Sequence, residues 1–181
     1  DIIEGTATFV DDHTISVEHN DSGVEEYRSD YFLIAVGSRP IRPDGIPFDD
    51  NHVFDSDGIL EIKRMPSSLV VVGAGVIGIE YASIFSTLDT KVTVLDGRDS
   101  MLGFLDQEIV DELTHSLRDR GISIRLGENV ESIESCDNGH VIVITKSGKR
   151  LSADMVLYAV ERVNSSRSVQ SSKNSMKVNK I

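Results

Sequence analysis

The stretch LVVVGAGVIGIE, residues 69–80, constrains the fold more than any other in the chain. A valine-rich apolar run leads into Gly73-x-Gly75-x-x-Gly78, and an apolar segment of helical character continues to Leu88. An unbroken run of this kind marks a strand buried on both faces, as in a parallel sheet. A helix that starts directly after such a strand needs a tight turn. Gly73 permits that turn, Gly75 lets the backbone approach a pyrophosphate, and Gly78 lets the helix pack closely on the sheet. The helix N-terminus then offers free N–H groups and a positive dipole end to phosphate. The next strand-like segment, KVTVLD, ends on Asp96, 18 residues past Gly78. An acid in that place accepts hydrogen bonds from ribose hydroxyls. Together these features predict a dinucleotide-binding unit. The alternative is a tight turn whose glycines serve packing only.

The segments that follow extend the pattern. LDQEIVDELTHSLRDRG reads as an amphipathic helix, with Ile109, Leu113 and Leu117 at i+4 spacing, Asp106 as its cap and Gly121 as its end. ISIRL is a third strand. This β-α-β-α-β order predicts a parallel sheet with right-handed crossovers. VESIES, HVIVITKSG and KRLSAD then read as antiparallel strands, with an Asn-Gly turn after Cys136, and MVLYAV as a final buried strand.

Arg98, two residues past Asp96, complicates the ribose site. An acid favours a free 2′-hydroxyl, whereas an arginine favours a 2′-phosphate. A 2′-phosphate beside Asp96 meets like-charge repulsion of about 1–4 kcal/mol at 4 Å in wet surroundings. Arg98 offsets that repulsion with charge-assisted hydrogen bonds, unless it is simply a solvated loop residue. Glu80 is similarly open between an acid complementing the helix dipole and one facing the nicotinamide side of the cleft.

Before the glycine turn the chain changes character. TATFV, TISVEH and VEEYRS read as short strands of an antiparallel meander, with turns at Asp11-Asp12 and Asn20 to Gly23. The meander feeds YFLIAVG, expected as a buried strand over Phe32–Val36. Residues 37–58 hold three of the chain's four prolines and read as a connector. SDGILEIKRM is expected as a short helix capped by Ser56 or Asp57.

Composition narrows the function classes. The 181 residues carry a net charge of −12, which suits solubility and, without basic clusters, excludes a nucleic-acid surface. No apolar run reaches the roughly 18 residues of a membrane span, and no signal-peptide pattern is seen. Cys136 is the only cysteine, so it forms no internal disulfide or redox pair and is taken as an incidental thiol. The five histidines lack metal-ligand spacing. The chain begins on Asp1 in strand-like sequence and is expected to be a piece of a longer protein.

The segments IAVGSRP, DSDGIL, VVVGAGVIGIEYASIF, KVTVLDGRDSMLGFLDQEI and GISIRLGENVESIE together resemble the FAD-dependent pyridine nucleotide–disulfide oxidoreductase family. Within it, EYASIF and RDSMLGFLDQEI are more similar to the transhydrogenase subgroup than to dihydrolipoamide dehydrogenase or glutathione reductase. The resemblance runs from Asp1 to about Arg162. It implies an α/β fold with a Rossmann-type parallel sheet and an antiparallel β-meander. Residues 1–40 would be the trailing meander of an FAD domain, 41–66 a connector with a short helix, and 67–159 the NAD(P)-binding domain. Residues 160–181 would be a divergent, poorly ordered tail.

The resemblance also implies site residues. Ala7 and the Ala35, Val36, Gly37 strand end would contact FAD. Gly73, Gly75, Ile77, Gly78, Glu80, Asp96, Arg98 and Val160 would contact NAD or NADP. The implied reaction moves hydride from NADPH to NAD through the flavin, which carries the chemistry, so no catalytic acid, base or nucleophile is assigned to this chain. One nicotinamide site admitting both cofactors makes Arg98 the expected reader of the 2′-phosphate and Asp96 of the free hydroxyl. Small dinucleotides, a homo-oligomeric parent, no membrane or nucleic-acid partner and a cytoplasmic location complete the expectation. A dihydrolipoamide dehydrogenase-like flavoenzyme, or a nucleotide-binding module without activity, are the alternatives. The chain departs from the family pattern at Val36, usually threonine, and at AVER, where Glu161 stands in a glycine position. Glutamate adopts a positive φ only at a cost, so the chain's return toward the flavin is expected to differ here.

Overall fold

The computed structural model describes residues 1–20, 23–136 and 139–165. Its contacts divide the chain into two units, Asp1–Arg39 with the chain from Val163, and Pro40–Arg162.

In the first unit β1 (Thr6–Asp11), β2 (Thr14–His19) and β3 (Gly23–Arg28) form the expected antiparallel meander, in the order β1-β2-β3. Phe9 and Val17 are its buried side chains. The expected strand over Phe32–Val36 does not form. The segment is irregular, and Tyr31 and Leu33 are 91% and 84% exposed. An extended apolar run becomes a strand only beside neighbours that complete its hydrogen bonds, and among the described residues none flanks it. Within it Phe32 packs edge-on to Phe9 with ring centroids 5.2 Å apart. The chain then passes through the short strand β4 (Ser38–Pro40).

The second unit is built on five parallel strands in the order β5-β12-β6-β7-β8. They are β5 (Val53–Asp55), β6 (Ser68–Val72), β7 (Lys91–Leu95), β8 (Ser123–Arg125) and β12 (Met155–Tyr158). Two helices, α1 (Val76–Thr87) and α2 (Gln107–Asp119), connect β6 to β7 and β7 to β8. Alternation along β6 explains its unbroken apolar sequence. Leu69 and Val71 join the core that holds Ile79, Ala82 and Phe85 of α1 and Val110 and Leu117 of α2. Val70 and Val72 face the other way, into a core with Ile133, Val141, Val143 and Ala153. Those four residues come from β9 (Val130–Ser135), β10 (Val141–Thr145) and β11 (Arg150–Ala153), an antiparallel sheet in the order β11-β10-β9. Both faces of the parallel sheet are therefore covered. A last strand, β13 (Arg162–Asn164), whose Val163 and Asn164 belong to the first unit, pairs with β4 of that unit.

Three local expectations are corrected. On α2 the inward stripe is Val110, Leu113 and Leu117, while Ile109 is 59% exposed. The i+4 series through Ile109 drifts off the buried face, because 3.6 residues make a turn. Asp106 does cap this helix, accepting from the Glu108 N–H at 2.9 Å. β5 lies inside the stretch read as connector; three residues ringed by Pro, Gly and Asp carry no periodicity, yet Val53 is fully buried beside β12. The helix expected over residues 56–65 is a single 3₁₀ turn, Gly58–Glu61. Its leading amides are held by Asp55, not Ser56 or Asp57: Oδ1 of Asp55 accepts from Asp57 N at 3.0 Å and Gly58 N at 2.7 Å. Of the expected Asn138-Gly139 turn, Gly139 is described, with φ +78° and its N–H donating to the Cys136 carbonyl at 3.1 Å. Asn138, Asp21 and Ser22 of the Asn20–Gly23 turn, and the tail after Ser165 lie outside the described residues. No helix among the described residues is long and apolar enough to cross a membrane.

Candidate functional site

The glycine turn joins β6 to α1, and its three glycines are required for three different reasons. Gly73 has φ +112°, and a Cβ on it would lie 2.5 Å from the carbonyl oxygen of Ala159. A Cβ on Gly78 would lie 1.9 Å from the carbonyl oxygen of Gly73, so the first turn of α1 rests against the turn itself. Gly75 has an extended backbone, φ −81° and ψ −177°, and a Cβ on it would meet nothing within 4 Å. No neighbour among the described residues requires that position to be bare; it faces open space. Gly75 is the N-cap of α1 and supplies no capping side chain. The leading N–H groups of the helix are thus left for a ligand, at the positive end of the dipole. A cavity of about 220 Å³ opens there, lined by Gly75, Val76, Ile77 and the segment from Ala159 to Arg162.

At the end of β7 sits a closed charge pair. Asp96 is 7% exposed. Its Oδ1 accepts from Arg98 N at 2.8 Å and Arg98 Nε at 2.9 Å. Its Oδ2 accepts from Arg98 Nη2 at 2.7 Å and from Ala74 N at 2.6 Å. Burial pushes this carboxyl up, but the Arg98 hydrogen bonds and the Ala74 and Arg98 amides outweigh it, holding the group below the usual carboxylate range. The Ala74 contact ties the acid to the glycine turn. From the other side the Leu102 N–H donates to the Ala74 carbonyl at 3.3 Å. Leu102 is buried with φ +48°, so the loop after β7 bends sharply to make this contact.

Both features open onto a larger cavity of about 500 Å³, whose lining includes Gly73, Asp96, Arg98 and Val160. Leu95, Val130 and Tyr158 give it an apolar part, and Glu128 and Asn129 a polar wall. The Lys149 ammonium and the Ser147 hydroxyl hold the Glu128 carboxyl down at about 2. The lining comes from the C-terminal ends of β6, β7 and β12 and from the loop after β8. That edge of an open α/β sheet is where ligands bind.

Of the residues expected at a nucleotide site, the structure gathers Gly73, Gly75, Ile77, Asp96, Arg98 and Val160 around these two cavities. Gly78 lies beneath the turn, and Glu80, beyond the first turn of α1, is exposed and lines neither cavity. Ala7 on β1 and the irregular segment Ala35, Val36, Gly37 are exposed residues of the first unit. Sequence reasoning missed Asn129, Glu128 and Tyr158 as lining residues; their signal was position, just after β8 and at the end of β12. It also missed the Ala74 amide, because a backbone donor leaves no mark in a side-chain pattern. Glu161 does not take a positive φ, so it meets no glycine requirement here. Its carbonyl accepts from Ile41 N at 3.1 Å. Among the described residues no group of His, Cys, Asp and Glu is arranged to hold a metal.

Comparison with known proteins adds to this geometry. The family described as pyridine nucleotide-disulphide oxidoreductase matches residues 1–180. A soluble pyridine nucleotide transhydrogenase of Mycobacterium tuberculosis is 49% identical over 165 residues, covering 90% of this chain and 35% of the relative. One from Colwellia psychrerythraea is 48% identical over 157 residues, 87% of this chain and 34% of the relative. This chain therefore spans about 35% of the length of such relatives. A copper(II) complex of RclA, an HOCl-induced flavoprotein disulfide reductase of Escherichia coli, superposes with a TM-score of 0.76 at 33% identity. That match covers 93% of this chain and 38% of the other.

Proposed function

The chain belongs to the pyridine nucleotide-disulphide oxidoreductase family, and from that premise we propose that its second unit binds NAD(H) and NADP(H) in one site. We propose further that the whole protein is a flavoprotein transhydrogenase, passing hydride from NADPH to NAD, and acts in the cytoplasm as a homo-oligomer. The observation that carries this reading is the Asp96–Arg98 pair beside the glycine turn, an acid and a cation offered to the same 2′-position. The names of the relatives support the activity.

The residues fit a dinucleotide. Gly75 keeps the approach to the α1 N-terminus clear, and the uncapped amides there suit a pyrophosphate. Asp96 and Arg98 face the ribose end, and Val160 and Ile77 the nicotinamide end. When bound in the whole protein, FAD would supply the two-electron relay between the two nicotinamides. Toward it this chain offers Ala7 and the exposed Ala35–Gly37 segment. The chain's own work is to bind and orient, and to read the 2′-position.

That reading works by exchange. All four in-plane acceptor positions of Asp96 are filled, three of them by Arg98. A free ribose hydroxyl gains access to Asp96 when the guanidinium swings away. A 2′-phosphate draws the same guanidinium outward, toward the solvent to which it is already 58% exposed. Arg98→Ala is therefore expected to weaken NADPH binding roughly 10- to 100-fold while leaving NADH binding within about 3-fold. Separate fluorescence titrations with NADH and NADPH test this. Equal losses for both would show that Arg98 does not read the 2′-position. Flavin absorption in the visible spectrum of the purified protein tests the flavoprotein part of the reading.

A further inference from the structure

The two cavities share Val160 and Glu161. The same segment crosses the glycine turn, since Gly73 lies so close to Ala159 that a Cβ would contact its carbonyl. Glu161 is exposed there, where one cavity gives way to the other. A dinucleotide extended from the ribose end, with its doubly negative pyrophosphate at the α1 N-terminus, runs from one cavity into the other past Glu161. The cations nearby are already committed. Arg98 is bound to Asp96, and Arg162 donates to Asp57 Oδ1 at 2.6 Å and Ser56 Oγ at 3.0 Å. Of the other acids in the lining, Asp96 is paired with Arg98 and Glu128 with Lys149. Glu161 has no ion pair among the described residues.

We propose that Glu161 is an affinity-limiting residue, whose carboxylate repels the pyrophosphate of either dinucleotide and hastens its release. This rests on the dinucleotide-binding reading above. A charge at the shared middle of the ligand acts on NADH and NADPH alike, unlike Arg98, which distinguishes them. In a site that two nucleotides visit in turn, departure matters as much as arrival. An exposed carboxylate several ångströms from the phosphates is worth roughly a 3- to 10-fold change in affinity, and salt screens it.

The test is titration of the chain and of Glu161→Gln, which removes the charge and keeps the shape, with NADH and NADPH at low and high salt. The expected result is a roughly 3- to 10-fold lower Kd of the variant for both nucleotides at about 20 mM salt, closing at about 0.5 M, where the screening length falls to about 4 Å. Unchanged affinity in a protein that binds both nucleotides overturns this inference alone. So does a gain for one nucleotide only, or a gain that salt leaves untouched. If neither protein binds either nucleotide, the dinucleotide reading falls and this inference falls with it.

Discussion

Gly78→Ala is expected to destabilise the second unit by about 3 kcal/mol or more and to abolish nucleotide binding. Two effects oppose each other at this position. Alanine is the better helix former by about 1 kcal/mol, and Gly78 lies within α1. Against this, its Cβ would sit 1.9 Å from the Gly73 carbonyl oxygen and 3.3 Å from Val71 Cγ1. The closer contact is with backbone, which has no rotamer to escape into, so the helix would have to lift off β6 and the clash outweighs the propensity. Gly75→Ala supplies the contrast. There the added Cβ meets nothing within 4 Å and the backbone is not left-handed. Stability should change by no more than about 1 kcal/mol, because the lower unfolded-state entropy of alanine is offset by its poorer fit as the N-cap of α1. Binding of NADH and NADPH should nonetheless weaken at least roughly 10-fold, because the methyl fills the approach of the pyrophosphate to the helix N-terminus. Urea midpoints with parallel titrations separate the two. A Gly78→Ala protein with an unchanged midpoint would contradict the close helix–turn contact. A Gly75→Ala protein with full affinity would contradict a phosphate seat at this turn.

The same three glycines show how far a sequence carries. The turn was legible because its requirement is local: a strand, a bend and a helix within 12 residues leave a spacing that few other structures need. The two-sided burial of β6 was legible for the same reason, since Leu69 to Val72 leave no polar face. What escaped depended on distant partners. Phe32–Val36 has the composition of a buried strand, but a ladder needs a neighbour, and among the described residues that segment has none. Val53–Asp55 has almost no strand signal, yet β12 beside it makes it one. At the site, Asp96 and Arg98 read as rival claims on a ligand. In space they satisfy each other, and the acid also holds Ala74, 22 residues earlier. Sequence spacing marks which residues meet a ligand better than it marks which residues meet one another.

That last contact makes Asp96 more than a reader of ribose. Asp96→Ala should cost about 2–3 kcal/mol of stability and weaken both nucleotides, NADH more than NADPH. The cost comes chiefly from Ala74, which is fully buried and whose N–H would lose its acceptor. Arg98 contributes little to it, because its exposed guanidinium returns to water. Asp96→Asn separates the roles. An asparagine oxygen still accepts from Ala74, so the turn should hold, but the amide cannot take the guanidinium on both atoms. The pH dependence distinguishes a charged pair from mere packing. The folded carboxyl lies below its usual range, so its contribution is fully present above the unfolded value of about 3.9. It disappears as pH falls below that value and through the folded one. The stability gap between wild type and Asp96→Asn should therefore be constant from pH 7 to about 5 and shrink as the solution is acidified further. A gap that stays flat down to pH 3 would mean that the charge on Asp96 does not hold the loop. The acid would then support the glycine turn through its shape and its hydrogen bond to Ala74 alone.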